Sequence, residues 1–474
     1  MSRKAAEGSG NKAFQGLPRL AYALMFCGVA TFALGQLRSP APNIPWVPPS
    51  NAVPPPLPKE QIVIPPSTIT LDQAIDAALK NNPDTREAWF AARAAEAALG
   101  SKRAAYFPEI DLNASFTRAR NAAQGGRSIT LSNSYGPSLA LSYLLFDFGG
   151  RAAQIEEARQ TLIATSFAQN ETIQNVILRV EQSYYGYLGA KSLLASQDAT
   201  VEERQASLDA ANARHNAGVA TIADVLQAQT ALSQAQLNYE TFEGTLRDFE
   251  GSLSTAMGLS PTTRFTTSEL ATDVPLDIIH DAVDQLIARA EMSRPDLAAT
   301  RADVERSRAR IREARAEGLP SFSFSSSIAS TTFRGAANVT TQPYSAGISM
   351  HFPFFTGFRT QYDVRQAREQ EQQAIENARG LQQQIDLQVW TSYYGLQTAA
   401  QRVKTSRDFL TAAQQSADVA RSRYRAGVGS ILDLLTAEAA LESARAQDVQ
   451  SRADWFLAMA QLTHDVGTLR QENQ

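Results

Sequence analysis

The spacing of apolar and polar positions changes period twice along the first half of the chain, and the second half repeats the changes. Leu71, Ile75, Ala78 and Leu79 recur at helical spacing, so a helix opens at Thr70-Leu71, and Pro83 falls where a break or a new first turn is allowed. A second helical run, Asp84 to Tyr106, is rich in Ala, Arg and Glu and stops before Pro108. Strict alternation follows: Ile110, Leu112, Ala114 and Phe116 on one face, Asp111, Asn113, Ser115 and Thr117 on the other. Past a Gly125-Gly126 loop, Tyr135 to Phe146 alternates again through Pro137, Leu139, Leu141, Tyr143 and Leu145. The helical period then returns from Arg151 to about Asn216 without a proline. At 1.5 Å per residue, some 65 residues make a helix of roughly 100 Å, which must pack side by side with others along its length.

The second half runs in parallel. Asp277 to Glu317 is helical, with Arg294-Pro295-Asp296 answering Asn82-Pro83-Asp84. Phe322, Phe324 and Ile328 alternate with serines, Tyr344, Ala346, Ile348, Met350 and Phe352 alternate with polar residues, and a proline-free run extends from Arg359 to about Arg425. The repeat is closest between Arg214-Asn238 and Arg423-Gln447, 209 positions apart. Both copies read Ala-Gly-Val, then a hydroxyl residue three positions before an aspartate. Gly218 and Gly427 therefore predict turns, and Thr221 with Asp224, and Ser430 with Asp433, predict capping boxes that open returning helices over Thr221-Met257 and Ser430-His464.

Four strands of about ten residues have the length a tilted strand needs to cross a bilayer. Aromatic residues cluster at their ends: Tyr106, Phe107, Phe146, Phe148, Phe352, Phe354 and Phe355. A soluble sheet with one buried face would alternate in the same way, but four strands with small polar residues on one face neither close a barrel nor bury a core. Several chains pooling strands would do both, and lipid tolerates no open sheet edge.

Composition narrows the classes. A net charge of −4 without a basic patch excludes a nucleic-acid partner. Arg3, Lys4, Lys12 and Arg19 precede the apolar run Leu20-Leu34, which ends in small residues, so residues 1–35 are expected to be a signal peptide. Cys27, the one cysteine, follows Met25-Phe26 rather than the small residues of a lipoprotein signal, so no lipid anchor is expected there. Eleven of the 21 prolines fall between Pro40 and Pro66, which makes residues 36–69 an extended tether. The expected organisation is a first repeat over 70–272, a second over 273–467 and a short tail over 468–474.

No catalytic constellation is present. His215, His280, His351 and His464 have no metal-ligand spacing, and the chain has neither a phosphate-binding Gly-Lys-Ser/Thr loop nor a Gly-x-Ser-x-Gly elbow. No enzyme activity, metal or cofactor is expected. Asp224 and Asp433 first of all cap helices; brought together by symmetry at the end of a helical tube, such carboxylates would also narrow an opening and attract cations.

The duplicated halves, two strand pairs, long helices and the repeated A-G-x-x-x-[IL]-x-D-[VL] turn resemble the TolC-like outer-membrane efflux proteins of Gram-negative bacteria, over about Thr70 to Gly467. The resemblance implies a mainly α fold with a small transmembrane β part: a homotrimer whose twelve strands form one barrel in outer-membrane lipid and whose helices form a barrel across the periplasm. It implies a periplasmic adaptor and an inner-membrane transporter, ABC type favoured, as partners. Asp433 then matches an acidic ring near the tunnel entrance, Tyr424 a gate tyrosine, and Asp224 its hydrogen-bonding partner. Gly429 and Thr436 depart from the family, standing where some members have a gate arginine and a second ring aspartate. Type I secretion of a protein toxin of the cyclolysin or haemolysin kind is the expected role, with multidrug efflux as the alternative. A periplasmic coiled-coil adaptor would use the same helices but needs no lipid-facing strands.

Overall fold

The structure, a computed structural model, describes residues 68–122, 129–275, 282–334 and 338–468. The expected signal segment, nearly all of the proline-rich stretch and the Gly125-Gly126 loop lie outside those residues. Each half starts with a short helix broken by Asn82 or Arg294 in extended backbone and restarted by proline: α1 (Leu71–Asn81) and α2 (Pro83–Arg103). Thr70 caps α1 with Gln73 as a capping box, and the Asn82 side chain accepts from the Asp84 amide to cap α2. Two strands follow, β2 (Glu109–Ala122) and β3 (Ile129–Phe146), then α3 (Gly150–Asn216) and α4 (Ile222–Ala256). The small pieces β1 (Thr68–Ile69) and β4 (Thr266–Thr267) pair in parallel and close the first half. The second half supplies α5 (Val283–Ser293), α6 (Pro295–Ala316), β5 (Ser321–Ala329), β6 (Thr331–Arg334), β7 (Val339–Thr341), β8 (Tyr344–His351), α7 (Arg359–Arg425) and α8 (Ile431–Asp465). The two long helices are 67 residues each, and the returning ones 35 each.

The strands run longer than their apolar alternation indicates: β2 has 14 residues and β3 has 18, not about ten. Ile129 and Leu131 continue the alternation of β3 for a short way, but Arg118, Arg120 and Asn133 interrupt the apolar face, so the pattern gives out before the strands do. β5 and β6 occupy one lane along β3, keeping one register across the interruption at Ser330 and shifting it only between Leu144 and Phe146, and β8 and β7 occupy the next. At the break, a Cβ on Gly136 would lie 1.7 Å from the Ser330 carbonyl oxygen, so the chain passes there only because residue 136 has no side chain. The lanes therefore stand in the order β2, β3, β5/β6, β8/β7. Among the described residues, the outer edges of β2 and of β7/β8 have no partner.

Cross-strand register assembles one apolar face. Leu112, Leu139, Ile328 and Tyr344 stand in one row; Tyr143, Phe324 and Ile348 stand in another nearer the helices. This face is exposed, with Leu112 at 76% and Ile348 at 69%. Among the described residues no helix is long and apolar enough to cross a membrane. Between sheet and helices lie Phe148-Gly149 and Gly357-Phe358, all four in left-handed backbone. A phenylalanine held there costs about 1–2 kcal/mol, and each turns its exposed ring beside another, Phe146 with Phe148 and Phe355 with Phe358.

The helices pack side by side as a layer rather than around one centre. Near the sheet the neighbours run α2, α3, α6, α7; farther away they run α4, α3, α8, α7. Two related cores sit where these sets meet. Val176, Val180, Leu253 and Met257 fill one; Ile385, Val389, Leu396 and Leu462 fill the other. Tyr185 stacked on Phe456, centroids 4.7 Å apart, joins them. Along the far half, buried Ala211, Ala228, Ala235, Ala413, Ala417 and Ala444 let the helices approach closely.

The glycine turns separate two kinds of constraint. Gly218 has φ +76° with open space around its Cβ position, whereas Gly258 has φ +72° and a Cβ there would lie 2.7 Å from the Asn81 carbonyl carbon. Gly218→Ala is expected to cost about 1 kcal/mol and Gly258→Ala well over 2 kcal/mol. Thermal unfolding midpoints of the two purified variants check the order; equal shifts would show that the close approach to Asn81 yields.

Candidate functional site

The far ends of the long helices carry the repeated turn motif, and the sequence explains its local geometry. α3 ends in a Schellman turn: the Val219 amide donates to the Arg214 carbonyl at 3.0 Å while Gly218 takes positive φ. α7 ends the same way, Val428 amide to Arg423 carbonyl at 3.0 Å, with Gly427 at φ +80°. Each returning helix then opens on a reciprocal capping box. The Thr221 amide donates to the Asp224 carboxylate at 2.9 Å and the Asp224 amide to the Thr221 hydroxyl at 3.3 Å. Ser430 and Asp433 exchange the same bonds at 3.4 and 3.1 Å. Asp433 stays exposed beyond its capping bond, and Thr436, one turn on, is exposed beside it.

Tyr424 is placed differently from the expectation. It is buried among Leu208, Ala211, Ala228, Leu232, Ile431 and Leu434, and its hydroxyl has no hydrogen-bond partner. Asp224 does not bond it; that carboxylate accepts from the Thr221 amide. Instead the Arg214 guanidinium lies 4.8 Å from the Tyr424 ring centroid and donates to the Tyr424 carbonyl oxygen. Burial pushes the Tyr424 phenol above its ordinary range; the Arg214 charge opposes the shift and Asp224 adds to it. Arg214 thus ties the first turn to the second, and a Cβ on Gly427 would lie 3.9 Å from one of its guanidinium nitrogens. Sequence reading passed over it, although an arginine begins both copies of the motif. Gly429 also has a local constraint: a Cβ there would lie 3.1 Å from the Tyr424 nitrogen and the Arg423 Cβ, so a side chain at this turn needs its neighbours to give by a few tenths of an ångström.

Two turns above this lies a buried charge network. Glu438 of α8 is 3% exposed and takes hydrogen bonds from Ser207 at 2.9 Å and Arg204 at 3.0 Å, with Arg421 of α7 at 3.8 Å. Arg204 reaches on to Glu442 at 3.4 Å, and Arg445 forms two 3.0 Å bonds to Glu203, which also faces Arg421 at 3.6 Å. Asn238 of α4 donates to Glu442 at 3.0 Å, so all four helices at this level share the network. The sequence holds one signal for it: Glu438 falls on the stripe Ile431, Leu434, Leu441, where an apolar residue is due. Burial pushes its carboxyl up, against the lowering influence of Ser207, Arg204 and Arg421. The arrangement holds helices together and offers nothing for bond-making; among the described residues no cluster of His, Cys, Asp or Glu could hold a metal ion.

Comparison with known proteins places this architecture. The family model described as outer membrane efflux protein matches the chain twice, over residues 74–259 and 286–468. Protein CyaE of Bordetella pertussis is 28% identical over 391 residues, 80% of each chain. Outer membrane protein TolC of Escherichia coli is 23% identical over 418 residues, 85% of this chain and 83% of the other. The outer-membrane channel OprN superposes with a TM-score of 0.76 at 21% identity, covering 84% of this chain and 89% of OprN.

Breaking the network by Arg204→Ala leaves Glu438 buried without its hydrogen-bonded cation, and is expected to cost about 3 kcal/mol or more, while Arg204→Met with Glu438→Leu regains most of it. The folded chain holds the Glu438 proton more tightly than the unfolded chain. Ionisation of Glu438 therefore subtracts stability as pH rises from the ordinary carboxylate range through the raised value, and Glu438→Gln should flatten that part of the profile. Unfolding midpoints against pH for the wild type and the three variants check both.

Proposed function

Because the chain belongs to the outer membrane efflux protein family, we propose that three copies close into one passive duct that forms the outer-membrane stage of type I secretion of a protein toxin. Membership makes it an export channel of the outer membrane that reaches into the periplasm, and not an enzyme. The observation that carries the trimeric reading is the sheet with two unpaired edges and an exposed apolar face. In lipid each unpaired backbone group costs several kcal/mol, on the order of the desolvation penalty of a polar group. Joining β2 of one copy to β8 of the next removes every edge, and three copies of four lanes give a twelve-stranded barrel.

The helices support the same closure. α2 and α7 flank the layer near the sheet and α4 and α7 flank it farther out, and these outer helices carry large apolar side chains that the single chain leaves exposed. Trp89 and Phe90 on α2 and Leu387, Trp390 and Tyr394 on α7 are 42% exposed or more. A neighbouring copy would cover them. Threefold repetition would also bring Asp433 into a ring at the helical mouth, with Tyr424, Arg214 and Asp224 governing how the paired turns lean together. A periplasmic adaptor and an ABC-type inner-membrane transporter supply energy and opening.

The higher identity to CyaE than to TolC favours secretion of a protein over efflux of small molecules. The test is complementation. The gene is expressed in a Gram-negative host lacking its own channel of this family and carrying a toxin, its ABC exporter and its adaptor. Toxin in the medium is the expected outcome. Restored drug resistance without toxin export would replace the secretion reading by multidrug efflux, and a chain that fractionates as soluble would remove the channel reading.

In planar bilayers, Asp433→Asn is expected to lower cation preference several-fold, because a ring of carboxylates near a narrow mouth sets the local field. Unchanged selectivity would leave Asp433 with its capping role alone.

A further inference from the structure

The sheet carries a charge pattern opposite to that of the chain. The chain has net charge −4, yet Leu112-Phe146 and Ser321-His351 contain Arg118, Arg120, Arg127 and Arg334 and no carboxylate. Arg127 lies outside the described residues. Register places the other three. Arg118 of β2 stands opposite Asn133 of β3, and Asn133 stands opposite Arg334 of β6. The two arginines therefore share one face and one height, on strands either side of a neutral amide. At a strand spacing of about 4.8 Å their backbones are roughly 10 Å apart, within reach of one anion for two such long side chains. Arg120 follows on the same face, one step nearer the strand ends.

That face is the apolar one. Directly below the row come Phe116, Tyr135 and Thr332, then Ala114 and Pro137, then Leu112, Leu139, Ile328 and Tyr344. Eleven residues separate Phe146, at the helix end, from Tyr135; at about 3.3 Å each and a tilt near 40° they rise about 28 Å, close to the ~25 Å lipid-facing band of an outer-membrane barrel. The arginine row is thus the first beyond the hydrocarbon, at the level of lipid headgroups. The helices leave from the opposite end of the sheet and reach into the periplasm, so the row lies in the outer leaflet. Arg118 and Arg120 are exposed and make no bond to the described protein, and Arg334 rests only against the Tyr135 ring, 5.7 Å from its centroid. A carboxylate partner is absent along the whole described sheet above Asp111.

We propose that Arg118, Asn133 and Arg334, with Arg120 beyond them, form a binding site for the phosphate groups of a phosphorylated glycolipid in the outer leaflet. The planar guanidinium forks match phosphate oxygens two at a time, and the Asn133 amide adds a neutral donor between them. The acyl chains of the same lipid lie along Phe116, Leu112 and Ile328. The site rests on the outer-membrane placement of the barrel and gives each protomer its own lipid, fixing the height of the barrel in the membrane. Headgroup-level charge attracts anionic lipid with a strength that adds per basic residue.

The test uses the full chain in mild detergent, titrated with bisphosphorylated lipid A and read by native mass spectrometry. The comparison probes are the same lipid without phosphates and inorganic phosphate. Wild type is expected to retain lipid A, and R118Q/R334Q to bind it about tenfold more weakly, with R247Q on α4 unchanged. The doubly conservative R118K/R334K should regain part of the binding, since charge returns without the fork. Channel conductance of each variant in planar bilayers reports folding and membrane placement separately from lipid binding. Equal retention of lipid A by wild type and R118Q/R334Q, equal binding of the phosphate-free lipid, or displacement of lipid A by equimolar inorganic phosphate would each overturn the site.

Discussion

The rest of this molecule depends on one constraint: a β-sheet that faces lipid cannot have edges. The four lanes β2, β3, β5/β6 and β8/β7 end on both sides in unpaired backbone, and no described segment of the chain is positioned to cover them. Water would satisfy those groups, but hydrocarbon does not. The helices inherit the same incompleteness, since the outermost of them, α2, α4 and α7, belong to an open layer. A fold this extended, with small satellite cores rather than one centre, has the form of a wall element. Its exposed aromatic residues lie in groups rather than as isolated exceptions.

The strained joints and the glycine turns serve this wall. Phe148 and Phe358 adopt left-handed backbone where strand becomes helix, which re-aims the chain and seats aromatic rings at the boundary between apolar sheet and polar helices. At the other end, Gly218 and Gly427 reverse the helices with backbone donors and acceptors satisfied by Schellman bonds and capping boxes. Between these ends, Arg204, Glu438 and their neighbours bind four helices by charge where alanines leave little apolar surface to bury. The network is costly to build, while the alanines beside it keep the helix faces narrow enough for long helices to lie close.

Much of this was legible in the sequence because it is local. Helix starts at Thr221 and Ser430, proline restarts at Pro83 and Pro295, and the change from period 3.6 to period 2 at Ile110 and Phe322 all depend on residues within a turn or two of each other. The strand ends were not legible, because Arg118 to Ala122 and Ile129 to Asn133 extend the ladder through backbone pairing where Arg118, Arg120 and Asn133 interrupt the apolar alternation. The arrangement at the turns was only half legible. Tyr424 was located, but its neighbour is Arg214, 210 positions away, rather than Asp224, and no local pattern announces a cation resting on a ring. Arg204 and Glu438, 234 positions apart, were missed for the same reason; the one local trace is an acid on an apolar stripe.

The account's central claim is that sheet edges are removed by copies of the same chain. The mass of the detergent-extracted, conducting full-length protein, measured by native mass spectrometry, tests it most directly. Three chains per particle is the predicted result. A conducting particle containing a single chain would contradict the account, because one sheet of four lanes would then have survived in lipid with its edges open.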